Sequence, residues 1–214
     1  MAHRSQFWIA ALILLAALDA WAQAGQQPSV EIYVYNQAGV PTRVLSQAEQ
    51  NATRIFRASG IRTTWVECST AEVAATDCNG LPQPGDVVLQ IMHEARKLKG
   101  DVFGAAFLGQ DGSGQYTNVF YDRVNQLNRD WKVSLVDVLG HVMAHEVGHL
   151  LLGLNSHSVS GIMRGFWDSG ELKAIDRGRL LFSSGQSKLM RERLAAITAR
   201  RDSQNTLVAG FSGN

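Results

Sequence analysis

Hydrophobic and polar positions alternate at period two over residues 29–35 (SVEIYVY), a segment rich in β-branched and aromatic types that predicts a strand. The period then changes. Leu45, Ala48, Ala52, Ile55 and Phe56 recur at helical spacing, Ser46 and Glu49 have the spacing of a capping box, and Gly60 ends the run, so a helix is predicted over 46–59. Further strands are predicted over 61–66 (IRTTWV), 86–92 (DVVLQIM), 102–108 (VFGAAFL) and 116–121 (YTNVFY). A turn-rich patch, 81–85 (LPQPG), and a polar loop, 110–115 (QDGSGQ), separate them. From Ser134 to Leu152 the pattern is helical again, with Ser134 and Asp137 at its start and Gly153 placed to stop it. A last helix is predicted over 184–200, with Leu189, Leu194, Ala195 and Ile197 as its apolar face, followed by a small, polar tail over 201–214. The order strand, helix, four strands, helix, helix predicts a single α/β (α+β) domain built on a mixed five-stranded sheet.

The N-terminus carries a different pattern. His3 and Arg4 precede an almost wholly apolar run over 7–17, and Ala20-Trp21-Ala22 follows as a small-x-small site. That predicts a signal peptide over 1–22, cleaved after Ala22 or, as the second option, Ala24, leaving a catalytic domain over 23–200. The run is short for a spanning helix, which needs roughly 20 residues, and no other stretch reads as a membrane span. Export changes the meaning of Cys68 and Cys78, the only two cysteines in the chain. In an oxidising compartment they predict one disulfide, closing a small loop and contributing about 2–3 kcal/mol. The alternative is a thiolate that holds a metal in a latent state. A formal net charge of +1 gives no electrostatic case for nucleic acid or for an anionic membrane.

The chemistry is concentrated in 141–163 (HVMAHEVGHLLLGLNSHSVSGIM). His145 and His149 are four apart inside a predicted helix, so they share a face and can each give one nitrogen to a zinc ion. Glu146 sits one step round, placed to take a proton from a water on that zinc, whose pKa falls toward about 7. Val142, Val147, Leu150 and Leu151 indicate that this helix is buried, and buried imidazoles and carboxylates need partners. A catalytic zinc needs a third protein ligand. His157 follows the helix-breaking Gly153, while Asp168 and Glu171 are the competing candidates. His141 shares the face, but it lies eight residues from His149, about 12 Å along a helix, and bonds of about 2 Å cannot span that. It reads as packing beside the site. His93 reads as an exposed strand end.

His145, Glu146, His149, Gly153, His157 and Met163 together resemble the metzincin clan of zinc endopeptidases, nearest in flavour to its matrixin-like branch. The resemblance implies a twisted sheet ahead of an active-site helix and a methionine turn at Met163 beneath the metal. It also implies a substrate strand laid antiparallel to an edge strand, for which 102–108, with Gly104, Ala105 and Ala106, is the candidate. Two departures stand out. The glycine falls at 153 where the pattern has 152, and the histidine at 157 where Asn155 holds the patterned position. The implied activity is zinc-dependent hydrolysis of a protein or peptide by a monomer, with no nucleic-acid partner and no lasting membrane association. A zinc-stabilised binding protein and a zinc amidase acting on cell-wall material are the alternatives.

Overall fold

The predicted strands form one five-stranded sheet in the order β2-β1-β3-β5-β4. In the computed structural model these are β1 (Ser29–Asn36), β2 (Arg62–Cys68), β3 (Val87–Met92), β4 (Gly104–Phe107) and β5 (Tyr116–Phe120). Residues 27–68, 78, 80, 82–94 and 102–211 are described. The N-terminal pattern and its cleavage site lie outside them. The first four strands in spatial order run parallel, and only β4 is antiparallel, paired to β5 with Gly104 opposite Val119 and Phe107 opposite Tyr116. β4 therefore takes the sheet edge, where its small residues were expected to lie. The alternation read in β1 has its expected consequence: Val30, Ile32 and Val34 are buried under helices, and the residues between them are half-buried on the other face.

Helix α1 (Thr42–Ala58) buries the predicted face through Leu45, Ala48, Ala52, Ile55 and Phe56. It starts earlier than its capping-box spacing suggested. Pro41 is the N-cap, and its carbonyl accepts from the N–H groups of Val44 and Leu45. Ser46 and Glu49 are consequently interior. Asn51, in the sequon Asn51-Ala52-Thr53, is buried and donates to Asp137 Oδ1 at 2.6 Å. Two further helices were not predicted. Helix α2 (Tyr121–Trp131) follows β5 without a break and buries only Val124. Helix α3 (Leu135–Leu152) is the predicted central helix, capped by Ser134 and ended by Gly153 at φ +66°. Helix α4 (Ser169–Asp176) is short and is the second unpredicted one. Helix α5 spans Ser184–Phe211, beyond the predicted end at 200 and into the stretch read as a tail. Among its described residues Ser187, Met190 and Leu194 are buried, while Leu189 and Ala195 lie on the exposed side.

Every residue of α3 from Val138 to Leu152 is buried. The helix is also long and apolar enough to cross a bilayer, but what surrounds it here is protein: it packs on α1, α2, α5 and the sheet. A disulfide joins Cys68 at the end of β2 to Cys78.

Glu49 carries a testable consequence of this packing. It is buried on α1, its Oε1 has no hydrogen-bond partner among the described residues, and burial, aided by the charge of Glu67, pushes its pKa up from 4.5 to about 7. A carboxyl whose folded pKa is raised stabilises the fold fully below its unfolded pKa and loses that contribution as pH rises through about 7. Glu49→Gln should leave Tm nearly unchanged at pH 4 and raise it at pH 8, by on the order of 10 °C. Thermal melts at the two pH values check this, and an equal shift at both would contradict it.

Candidate metal centre

Helix α3 delivers His145 and His149 from one face, one turn apart, and both rings are buried. Each is held by a carbonyl from the chain that follows the helix. His145 Nδ1 donates to Ile162 O at 2.7 Å, and His149 Nδ1 donates to Leu154 O at 2.7 Å. These two bonds place the ring protons on Nδ1, so each Nε2 presents a lone pair. The two Nε2 atoms face one another at 3.1 Å. Two lone pairs at that distance repel unless a cation lies between them. Ligand atoms on one tetrahedral zinc, with bonds of about 2.0–2.1 Å, stand about 3.3–3.4 Å apart. The pair therefore fits such an ion. Burial pushes the pKa of His145 down to about 4 and lowers that of His149, which favours the neutral rings that can ligate.

His157 completes the group. Its ring centroid is 5.4 Å from that of His145 and 5.1 Å from that of His149. One ligand atom from each of the three residues lies within 4.8 Å of the others. The route of the chain explains this. Gly153 adopts a left-handed conformation that closes α3, Leu154 N–H returns to His149 O, and the chain reverses. Ser158 N–H then donates to Met163 O at 2.8 Å and closes a loop around Gly161. Met163 is buried beneath α3: a Cβ added to Gly148 would lie 2.9 Å from its sulfur.

Asp168 and Glu171, the competing ligand candidates, are occupied elsewhere. They form the capping box of α4, and both accept from Arg164 Nη1, at 2.9 and 2.6 Å. Their spacing, Asp-x-x-Glu, is itself the capping-box signal that would have identified α4. His141 is buried, donates to Asp137 O at 2.7 Å and lies outside the three-histidine group. His93 is exposed and meets Asp122 Oδ1 at 3.3 Å.

Glu146 lines the same cavity, of about 220 Å³, as the three histidines. Burial pushes its pKa up to about 8. A neighbouring cation acts in the opposite direction and favours the carboxylate. The carboxyl is seated against β4, where a Cβ on Gly104 would lie 2.5 Å from Glu146 Cδ and from Asn118 O. A Cβ on Gly165 would likewise lie 2.8 Å from His157 Nδ1. These two close approaches, and the Arg164 bracket, were not found in the sequence.

No family model matches the chain, and no curated protein does. Solved structures do. The zinc-dependent peptidase from Methanocorpusculum labreanum aligns over 75% of this chain and 99% of its own, at 14% identity and a TM-score of 0.50. The fold is shared with a zinc-dependent peptidase. Archaemetzincin from Methanopyrus kandleri aligns over 79% of this chain and 97% of its own, at 18% identity and a TM-score of 0.48. Metalloproteinase-II from Bacteroides fragilis aligns over 78% and 53%, at 14% identity and a TM-score of 0.48. What this similarity carries is the fold, a mixed sheet with helices, and the donor set of three imidazoles is one that suits Zn2+.

If His157 is the third ligand, His157→Ala should abolish tight binding of one zinc per chain. Asp168→Ala and Glu171→Ala should retain it while losing about 1 kcal/mol of stability with the cap. Metal analysis after equilibrium dialysis distinguishes them. Zinc retained by His157→Ala and lost by a carboxylate variant would reverse the assignment.

Proposed function

We propose that this chain is an exported zinc-dependent endopeptidase of the metzincin type, matrixin-like in its motif, with residues 23–200 as the catalytic domain. One observation carries the reading. Two Nε2 lone pairs face each other at 3.1 Å, with His157 beside them and Glu146 in the same cavity. His145, His149 and His157 would hold the ion, and bound zinc supplies Lewis acidity to the attacking water and the scissile carbonyl. Glu146 is the general base: its carboxylate takes a proton from the attacking water and returns it to the leaving amine. An ion held only for stability has no use for that carboxylate, which favours an enzyme over a scaffold.

The substrate reading rests on β4. It ends the strand order, and among the described residues no strand pairs with its outer edge. Gly104, Ala105 and Ala106 line the cavity there, and such small side chains let an extended peptide approach closely. In this reading the peptide pairs antiparallel to β4, with its scissile bond beside Glu146. Met163 supports the site from below without ligating. Export is supported by the N-terminal pattern and by the Cys68–Cys78 disulfide. A monomer suffices, since the three histidines and Glu146 come from one chain.

The zinc-loaded mature protein should cleave a peptide pool, lose activity to a chelator and regain it with zinc. Glu146→Gln should retain zinc and lose about 10²–10⁴-fold in kcat. Failure of the zinc-loaded protein to cleave any peptide in the pool would sink the reading.

A further inference from the structure

We propose that Arg164 is a specificity-determining residue, selecting peptides that carry a carboxylate close to the scissile bond. The proposal rests on the peptidase reading above and names the substrate class of the same cavity.

Beyond the three histidines and Glu146, the cavity wall is mostly apolar or small, with Phe103, Ala105, Val142 and Trp167 among its residues. Two polar side chains without a place in the metal centre also line it, Asn155 and Arg164. Among the described residues that line it, Arg164 is the only Arg or Lys. Its neighbour Gly165 lies against the His157 ring, and Arg164 itself bridges to Ser158, so it sits on the loop that carries the third histidine.

The guanidinium is held in place from one side. Nη1 gives its hydrogens to Asp168 Oδ2 at 2.9 Å and Glu171 Oε2 at 2.6 Å. Those acceptors are themselves fixed: Glu171 Oε2 also accepts from Asp168 N–H at 3.0 Å, and Asp168 Oδ1 accepts from Gly170 N–H at 2.7 Å. Helix α4 is anchored in turn by buried Leu172 and Ile175. Much of the rotamer entropy that a free arginine loses on binding is therefore already lost here.

The opposite edge is unspent. Nε and Nη2 have no protein partner among the described residues, while about a third of the side chain remains accessible. An Nε–Nη2 edge matches the two oxygens of one carboxylate through parallel hydrogen bonds. A backbone carbonyl or a side-chain amide presents a single oxygen and cannot take both bonds in parallel. The carboxylate can come from an acidic side chain or from the free C-terminus of the peptide. Because Asp168 and Glu171 offset the charge of Arg164, discrimination comes from the directional bonds and should be about tenfold.

The test uses zinc-loaded protein and two sets of quenched fluorescent peptides. In one set a single Glu is moved through the positions flanking the cleaved bond, with Gln as its control. In the other the C-terminus is free or amidated. kcat/KM is measured for the wild type, Arg164→Gln and Arg164→Lys, and calorimetry reads binding of the same peptides to zinc-loaded Glu146→Gln. The wild type should favour the carboxylate member of one set about tenfold, and the set concerned identifies the source. Arg164→Gln should abolish the preference in cleavage, and Arg164→Lys, a point charge without the fork, should restore only part of it. Glu146→Gln should show the same preference in binding.

An arginine that served only to hold α4 would lower Tm and leave selectivity unchanged. If Arg164→Gln does not fold, Arg164→Lys carries the test, with Tm near wild type and the preference reduced. Cleavage without preference, or a preference that survives Arg164→Gln and Arg164→Lys, overturns the role of Arg164 and leaves the peptidase reading standing. No cleavage of any peptide by the wild type overturns both.

Discussion

Burial of helix α3 is the constraint to which the rest of the structure responds. The helix is enclosed on all sides, yet it carries His145, Glu146 and His149 at 5–8% exposure. A buried polar group left without a partner costs about 1–3 kcal/mol. Two of the answers come from one segment, the chain that doubles back after Gly153. Leu154 O accepts a hydrogen bond from His149 Nδ1, and Ile162 O accepts one from His145 Nδ1. Trp167 Nε1 donates to the same Ile162 carbonyl at 3.3 Å, and its ring meets His145 edge-on. The helix and the return loop are therefore one unit, in which the bonds that satisfy the imidazoles also fix their tautomers and aim both Nε2 atoms at one point.

The same unit leaves little room for side chains around it. β4 approaches Glu146 through Gly104, the return loop approaches His157 through Gly165, and Met163 fits under Gly148. Each contact lacks a Cβ where one would overlap a group of the site. Electrostatics point the same way. Burial drives His145 toward neutrality and Glu146 toward protonation, while the paired lone pairs call for a cation whose charge would reverse the second shift. Hydrogen bonding, packing and ionisation are mutually consistent with a cation in the site.

Much of this was legible along the chain because it is periodic. The helical spacing of α1 and α3, the alternation of β1 and the four-residue interval between His145 and His149 are local, and local geometry follows from them. The position of His157 beside the other two rings was legible because a glycine that ends a helix lets a nearby histidine return. What escaped was either weakly patterned or tertiary. Helix α2 buries a single residue, so its apolar signal is slight, and with no side-chain cap it continues directly from β5. Helix α4 has a weak apolar pattern, and the Asp168-x-x-Glu171 spacing that caps it also suits a pair of metal ligands. The start of α1 moved because the Pro41 carbonyl anchors the first turn, overriding the signal at Ser46. The close approaches at Gly104 and Gly165 depend on chain crossings that no single stretch of sequence records.

The central claim is that three imidazoles hold one zinc and leave a position open for chemistry. X-ray absorption at the zinc edge of the loaded protein tests it most directly. The account predicts three imidazole nitrogens at about 2.0–2.1 Å and one exchangeable light-atom ligand. A site closed by four protein ligands, or one with two imidazoles and a protein carboxylate, would contradict it.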